Sequence, residues 1–468
     1  MTTPPTLSDA RPLLDAAEKL LDQTVERASA VTEGGKRIDD HQVLAERVAY
    51  AVTEGRAARA ALDFAAALGE EGRSSAMTES TFAASVADLV ESLLVRLGPA
   101  VDDLGIGEEA LEDAFPAELR ALLRRVGHES VYRTIGRQVV DTRGRNDLPL
   151  DEMSEQIRES VREFADAEVA PQAEHIHRTD ALVPESLITE MSELGYFGMG
   201  IPESYGGSEM GNLAMIITTE ELSRVSLAGA GSLITRPEIL TKALLGGGTD
   251  EQKQHWLPRI ASGEFMVGIA VTEPDVGSDV AAVKCKAELR NVDGSDGWVI
   301  NGPKSWCTFA GRANVLALLA RTDPDLSKGA RGLSLFIVPK DAFTGHDFEM
   351  TQPGGGRMVG KADATPGYRG MHSFTLNLEN YLVPADCLVG GDANLGRGFY
   401  LQMAGFAAGR LQTGGRACGL AQGALEKTAE YVVDRKQFAK PLSEFQLTQY
   451  ALGRMAARLA GARALTYA

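Results

Sequence analysis

Three short stretches of this 468-residue chain carry side chains able to hold a polar ligand. The first, VTEPDVGSD (271–279), falls where a strand-like run gives way to a loop. Backbone amides near Gly277 and the hydroxyls of Thr272 and Ser278 can meet polar groups there, because glycine lets the backbone approach closely. A tight surface turn would use the same residues. The second, NGPKSWCT (301–308), sets the aromatic face of Trp306 and the hydroxyl of Thr308 two residues apart, hence on one side of a strand. A single tryptophan is more often core. The third, RKQFAKP (435–441) followed by Gln446, stands at a helix end. His175 and His177 form an HxH pair with no third ligand nearby in sequence, and Met371-His372 reads as packing, so no metal site is expected.

The elements that must position these stretches follow from periodicity. Residues 7–135 read as helices almost throughout, with Leu13, Leu14, Ala17, Leu20, Leu21 and Val25 apolar at helical spacing. The polar segment 141–149 makes a linker. A second helical region opens near Leu150, its first helix expected to stop at Pro171. From Phe265 to about Ala385, short strand-like runs alternate with Gly, Asp, Asn and Pro clusters and predict a β-domain. Long helices return over 398–435 and from Leu447. Ala468 falls inside a helical pattern without a stop signal, and the polypeptide is expected to continue past it.

Composition narrows the function classes. Hydrophobic residues make up 44% and charged residues 24%, an ordinary globular balance that excludes wholesale disorder. Net charge is −18, about half of it in the first 150 residues, so no basic domain offers a nucleic-acid footprint. The arginine run Arg120, Arg124, Arg125, Arg133, Arg137, Arg143, Arg145 reads as a solvated helix face. Four cysteines without a CxxC pair argue for a reducing compartment. With no secretory signal and no apolar stretch near the ~18 residues a bilayer requires, a soluble cytoplasmic protein is expected.

In this order and spacing the three stretches resemble the acyl-CoA dehydrogenase family. GGTDEQKQHWLPRIASGE (247–264), PGYRGM (366–371) and GRLQTGGRACGLAQGALE (409–426) add to the resemblance, which spans roughly 150–468. It implies an α+β fold: a helical N-terminal domain (148–265), a middle β-domain (266–385) and a helical C-terminal domain begun at 386–468, here preceded by an extra helical extension (1–147). It further implies FAD, held without a Rossmann fingerprint, and a CoA thioester. Val271 and Thr272 match positions facing the flavin ring, with Gly277 beside them. Ser278 matches one at the FAD phosphates or the CoA chain, and Trp306 and Thr308 match the residues covering the ring. Arg435, Gln437, Phe438 and Gln446 match positions reaching the FAD of a neighbouring subunit, which implies a homodimer or homotetramer. Phe406 and Arg410 match the lining of the CoA channel.

Such enzymes remove an α-proton with a glutamate, pass the β-hydride to the flavin and hand electrons to an electron-transfer flavoprotein. One group of the family places the glutamate just before the channel arginine, but that position here is Gly409. The base is therefore expected in a C-terminal segment beyond these residues, and no catalytic residue is assigned; Glu379, Glu426 and Glu444 read as surface acids. The extension, GSLITRPEIL (231–240) and YRGMHSFTL (368–376) are similar to the branch acting on (2S)-methylsuccinyl-CoA, giving mesaconyl-CoA. A free distal carboxylate needs a cation, because leaving it buried and unpaired costs several kcal/mol; Arg236 is the expected anchor. Isobutyryl-, 2-methylbutyryl- or short straight-chain acyl-CoA is the runner-up substrate. A flavin-binding scaffold without catalysis and an oxidase are the rivals from other classes. The extension serves either packing and oligomerisation or narrowing of the substrate entrance.

Overall fold

Leu13, Leu14, Ala17, Leu20 and Leu21 form the buried face of helix α1 (Leu7–Val31), which Asp9 opens by accepting the Thr6 amide at 3.0 Å. The computed structural model describes residues 4–292 and 294–468; the first three residues of the expected extension lie outside them. After α1 come α2 (Gln42–Glu70), α3 (Ala76–Leu97), α4 (Val101–Leu104), α5 (Gly107–Ala114), α6 (Ala117–Val126) and α7 (Glu129–Asp141). Beyond the polar connection stand α8 (Glu152–Phe164), α9 (Ala170–Thr179), α10 (Glu185–Glu193), α11 (Gly211–Val225), α12 (Thr235–Gly247) and α13 (Asp250–Ala261). The strands are β1 (Val267–Ala270), β2 (Lys286–Val292), β3 (Ser295–Thr308), β4 (Val315–Arg321), β5 (Leu333–Pro339), β6 (Asp347–Thr351), β7 (Arg357–Ala362) and β8 (Ser373–Pro384). Helix α14 (Gly398–Asp434), a hairpin of β9 (Lys436–Gln437) and β10 (Lys440–Pro441), and α15 (Gln446–Tyr467) complete the order.

Two details differ from the sequence reading. The chain does not stop at Pro171: a π-helical turn (Ala165–Val169) carries α8 into α9, where Pro171 occupies the first turn and its missing N–H costs nothing. The strand-like run VKCKAEL (283–289) of the predicted β-domain forms a strand only from Lys286, because the amides of Lys284 and Cys285 are taken by the Glu273 carboxylate instead of a neighbouring strand.

The chain divides into two units, one running to Asp151 and including Ala421–Ala468, the other Glu152–Leu420. In the first, α15 packs on α7 so closely that a Cβ at Gly136 would overlap the Gln449 carbonyl and one at Gly453 the Tyr132 carbonyl. Buried Asp88 on α3 holds Arg454 at 2.5 Å and also pairs with Arg458, tying α15 to α3. Several arginines of the 120–145 run meet acids at the surface, Arg145 with nearby Asp147 at 2.7 Å and Arg125 with Asp9 of α1 at 2.8 Å.

In the second unit the sheet runs β1-β4-β2-β3-β8-β7-β6, with β5 on β4. Strand β4 is parallel to β1 and β2; the other pairings are antiparallel. β4 is buried along its whole length, which its run of Val, Leu and Ala allows. Among the described residues, no helix is long and apolar enough to cross a membrane.

Candidate active site

The loop after β1 is fixed by a buried ion pair. Lys304, fully excluded from solvent on β3, donates from Nζ to Glu273 Oε1 at 2.9 Å and to the Val271 carbonyl at 3.0 Å. The Glu273 carboxylate also accepts the Lys284 and Cys285 amides, both at 2.8 Å, so the charges are hydrogen-bonded as burial requires. The Ser305 amide donates to the Thr272 carbonyl at 2.8 Å. Val271 and Thr272 are thereby laid against the end of β3.

That end is irregular. The β3–β8 register slips between Lys304 and Cys307, and within this bulge Trp306 has φ of +57°, a conformation bulky residues seldom adopt. The bulge, and not the plain two-residue alternation expected from the sequence, turns the indole outward, 60% exposed. Thr308 stays buried, its hydroxyl 3.1 Å from that of Ser373.

These groups form one wall of a cavity of about 330 Å³. Ile269, Val271 and Thr272 come from the β1 end, and Ser305, Trp306 and Thr308 from β3. Thr235, Arg236 and Ile239 come from α12, and Phe406, Gly409, Arg410, Thr413 and Arg416 from α14. Arg236 lies in the first turn of α12. Gly409 faces α12, where an added Cβ would press on Ile239 at 3.2 Å. No carboxylate lines the cavity among the described residues. Burial raises the Glu238 carboxyl above its ordinary range, but its Oε1 stands against Gly200 and it is not part of the lining.

The structure thus gathers Val271, Thr272, Trp306, Thr308, Arg236, Phe406 and Arg410 into one cavity. Gly277 and Ser278 are not part of its lining: the paired Glu273 and Val276 backbones close a turn that leaves both exposed. Arg435, Gln437, Phe438 and Gln446 belong to the other unit. There Phe438 and Ala439, with φ of +50° and +64°, make the tip of the β9–β10 hairpin and leave Phe438 89% exposed. Sequence reasoning missed Arg416 and Thr235. The signal for Arg416 was its place one helical turn and a half beyond Arg410 in a stretch already singled out. Away from the cavity, His372 Nε2 lies 3.1 Å from Asp180 Oδ1 and 3.2 Å from His346 Nε2; Arg369 Nε, 3.4 Å from the same carboxylate, supplies a counter-charge.

Comparison with known proteins agrees with this geometry. Three family descriptions match: "Acyl-CoA dehydrogenase, N-terminal domain" over 151–264, "middle domain" over 268–381, and "C-terminal domain" over 10–95 and 396–468. A (2S)-methylsuccinyl-CoA dehydrogenase of Cereibacter sphaeroides is 35% identical over 98% of this chain and 83% of its own length. The chain belongs to the acyl-CoA dehydrogenase family. Among solved structures, an electron transferring flavoprotein of Acidaminococcus fermentans superposes with a TM-score of 0.60 at 31% identity, covering 69% of this chain and 79% of its own. A glutaryl-coenzyme A dehydrogenase in complex with glutaryl-CoA gives 0.57 at 30%, covering 68% and 78%. As an acyl-CoA dehydrogenase the protein is an FAD-dependent oxidoreductase of the α+β type expected. The match over 10–95 was not foreseen: part of the extension is itself similar to the family's C-terminal domain. A large indole stands mostly exposed on strained backbone beside Thr308 and the fixed Val271–Thr272 loop, and these residues fit a flat ring system such as the flavin of FAD.

Proposed function

We propose that the protein catalyses α,β-dehydrogenation of a short, branched acyl-CoA, with (2S)-methylsuccinyl-CoA as substrate and mesaconyl-CoA as product. The observation that carries this reading is the cavity's division into two chemically different walls. The β1–β3 wall bears Val271, Thr272, Trp306 and Thr308; the α12–α14 wall bears three arginines and no acid. Bound FAD would supply the oxidising chemistry; Trp306 and Thr308 would hold its ring, and Val271 and Thr272 would offer it backbone and hydroxyl groups. Arg410, exposed beside Phe406, meets the CoA portion, and Arg236 faces the distal carboxylate of the acyl group. Among the described residues no carboxylate lines the cavity, so the group that takes the α-proton would come from outside that lining. Ser278, on the exposed loop beside Gly277, would meet the FAD phosphates or the CoA chain. Similarity to an enzyme named for methylsuccinyl-CoA over nearly the whole chain supports the substrate.

Electrons then pass to an electron-transfer flavoprotein, a partner consistent with the likeness to a flavoprotein of that name. Arg435, Gln437, Phe438 and Gln446 reach the cofactor of a second copy in a homodimer or homotetramer. The exposed Phe438 on its tight hairpin supports such a contact.

The test is product analysis. The full-length protein with FAD and an artificial electron acceptor is incubated with (2S)-methylsuccinyl-CoA, and the CoA esters are weighed by mass spectrometry. A product two hydrogens lighter that co-elutes with mesaconyl-CoA is expected. Conversion of isobutyryl-CoA in preference would overturn the substrate. The acid-free lining favours one further reading, a flavin-binding scaffold, for which FAD would bind and no acyl-CoA would change mass.

A further inference from the structure

Three side chains far apart in sequence meet outside the cavity. Asp180 caps α9 with φ of +57°, His346 precedes β6, and His372 precedes β8 with φ of +48°. Backbone bonds hold both histidines: the His372 carbonyl accepts the Phe309 amide at 2.8 Å and the His346 carbonyl the Ala362 amide at 2.7 Å. His372 Nε2 lies 3.1 Å from Asp180 Oδ1, His346 Nε2 lies 3.0 Å from the Asp180 carbonyl, and the two Nε2 atoms are 3.2 Å apart. Protons alone cannot satisfy these three contacts. The carboxylate and the carbonyl both accept, so each needs a hydrogen on the nitrogen it faces, yet the two N–H groups would then point at one another. Removing either hydrogen leaves a nitrogen lone pair against an oxygen lone pair. A single cation held by both nitrogens and the carboxylate resolves the conflict, because it takes their lone pairs together.

We propose that Asp180, His346 and His372 form a site for a zinc ion, which braces the end of α9 against the turns before β6 and β8. Two imidazole nitrogens with one carboxylate are a donor set that suits zinc and not magnesium. Ligands about 2.0–2.1 Å from a tetrahedral zinc stand roughly 3.4 Å from one another. The donor atoms here are separated by 3.1 Å, 3.2 Å and, from His346 Nε2 to Asp180 Oδ2, 3.9 Å. The fourth position is left to water or to the Asp180 carbonyl. Outer contacts suit the role. His372 Nδ1 lies 3.3 Å from the Gly370 carbonyl, which favours a proton on that nitrogen and leaves the Nε2 lone pair for the metal. Arg369 Nε stands 3.4 Å from Asp180 Oδ1 but also donates to the Thr365 carbonyl at 3.2 Å, and its Nη1 donates to the His177 carbonyl at 3.1 Å, so Asp180 Oδ2 stays available. His372 is buried, whereas the side chains of Asp180 and His346 are 49% and 45% exposed and give an ion its way in. None of the three lines the cavity, so the site does not depend on the acyl-CoA reading.

The test is titration of the tag-free, FAD-loaded, full-length protein with zinc chloride by calorimetry after treatment with a chelator, with magnesium chloride as the control. One equivalent of zinc should bind and raise the unfolding temperature, since a ligand that binds the folded state stabilises it; magnesium should do neither. His346→Gln, on the exposed side, and Asp180→Asn, which keeps a residue tolerant of positive φ at the cap, should each weaken zinc binding at least about 10-fold. Unfolding temperatures without zinc verify that both variants are folded. Replacing the exposed His175 and His177 together by glutamine should leave the affinity unchanged. Absence of zinc binding in wild type, an affinity unmoved in both His346→Gln and Asp180→Asn, or its loss with His175 and His177 overturns the proposal.

Discussion

Lys304 and Glu273 form a 2.9 Å ion pair in which neither side chain is appreciably exposed, and the lysine also binds the carbonyl of Val271 at 3.0 Å. The pair therefore couples stability to the shape of the cavity's β wall. Lys304→Met should destabilise the protein by about 3–5 kcal/mol, because Glu273 is left buried and charged. Adding Glu273→Gln should recover part of that loss without restoring FAD affinity, since Val271 stays unanchored. Denaturant unfolding and FAD titration of the two variants separate these effects; recovery of both together would contradict the coupling.

Trp306 should separate folding from cofactor binding. Its φ of +57° stores strain that glycine does not feel, and its indole is 60% exposed. Trp306→Gly is expected to hold or raise stability by up to about 1 kcal/mol, while weakening FAD binding at least several-fold. Loss of stability in parallel with loss of FAD would show that the indole is packed in the chain itself.

Lys340 offers a pH signature. Burial pushes its ammonium down to about 7, although it donates to the carbonyls of Gly311 and Ala313. Above that value the folded state has released a proton that the unfolded chain keeps until about 10.5, so stability should rise with pH across this window. In Lys340→Met this contribution is absent. The stability difference between wild type and variant, followed by denaturant midpoints from pH 6.5 to 9.5, should shift toward wild type as pH rises. A constant difference would show that the carbonyls of Gly311, Ala313 and Asp341 keep the ammonium charged.

Gly453 tests the helical unit. A Cβ there would overlap the Tyr132 carbonyl of α7, so Gly453→Ala must push α15 away despite alanine's better helix propensity. A loss of about 1–3 kcal/mol is expected. An increase in unfolding temperature would contradict the close packing.

Much of this was legible because its signals are local. The helices show in their apolar periodicity, the β1 loop and the β3 end are each short stretches, and the family resemblance brought Val271, Thr272, Trp306 and Thr308 together. Arg416 was passed over although it follows Arg410 in a stretch already singled out, because the cavity wall it shares with α12 exists only once the chain is folded. Strands β6 and β7 are hard to read from sequence because their exposed residues break the apolar pattern, as the edge position of β6 allows. Pro171 misled because its consequence depends on the π turn before it.

The most direct test of the central claim is the anaerobic half-reaction. The FAD-loaded, full-length protein is mixed in a stopped-flow instrument with (2S)-methylsuccinyl-CoA, isobutyryl-CoA or butyryl-CoA, and flavin absorbance is followed. Rapid bleaching by methylsuccinyl-CoA, with the two plain esters far slower, is the predicted result. Equal or faster bleaching by a plain ester, or none by any of the three with FAD bound, would contradict it.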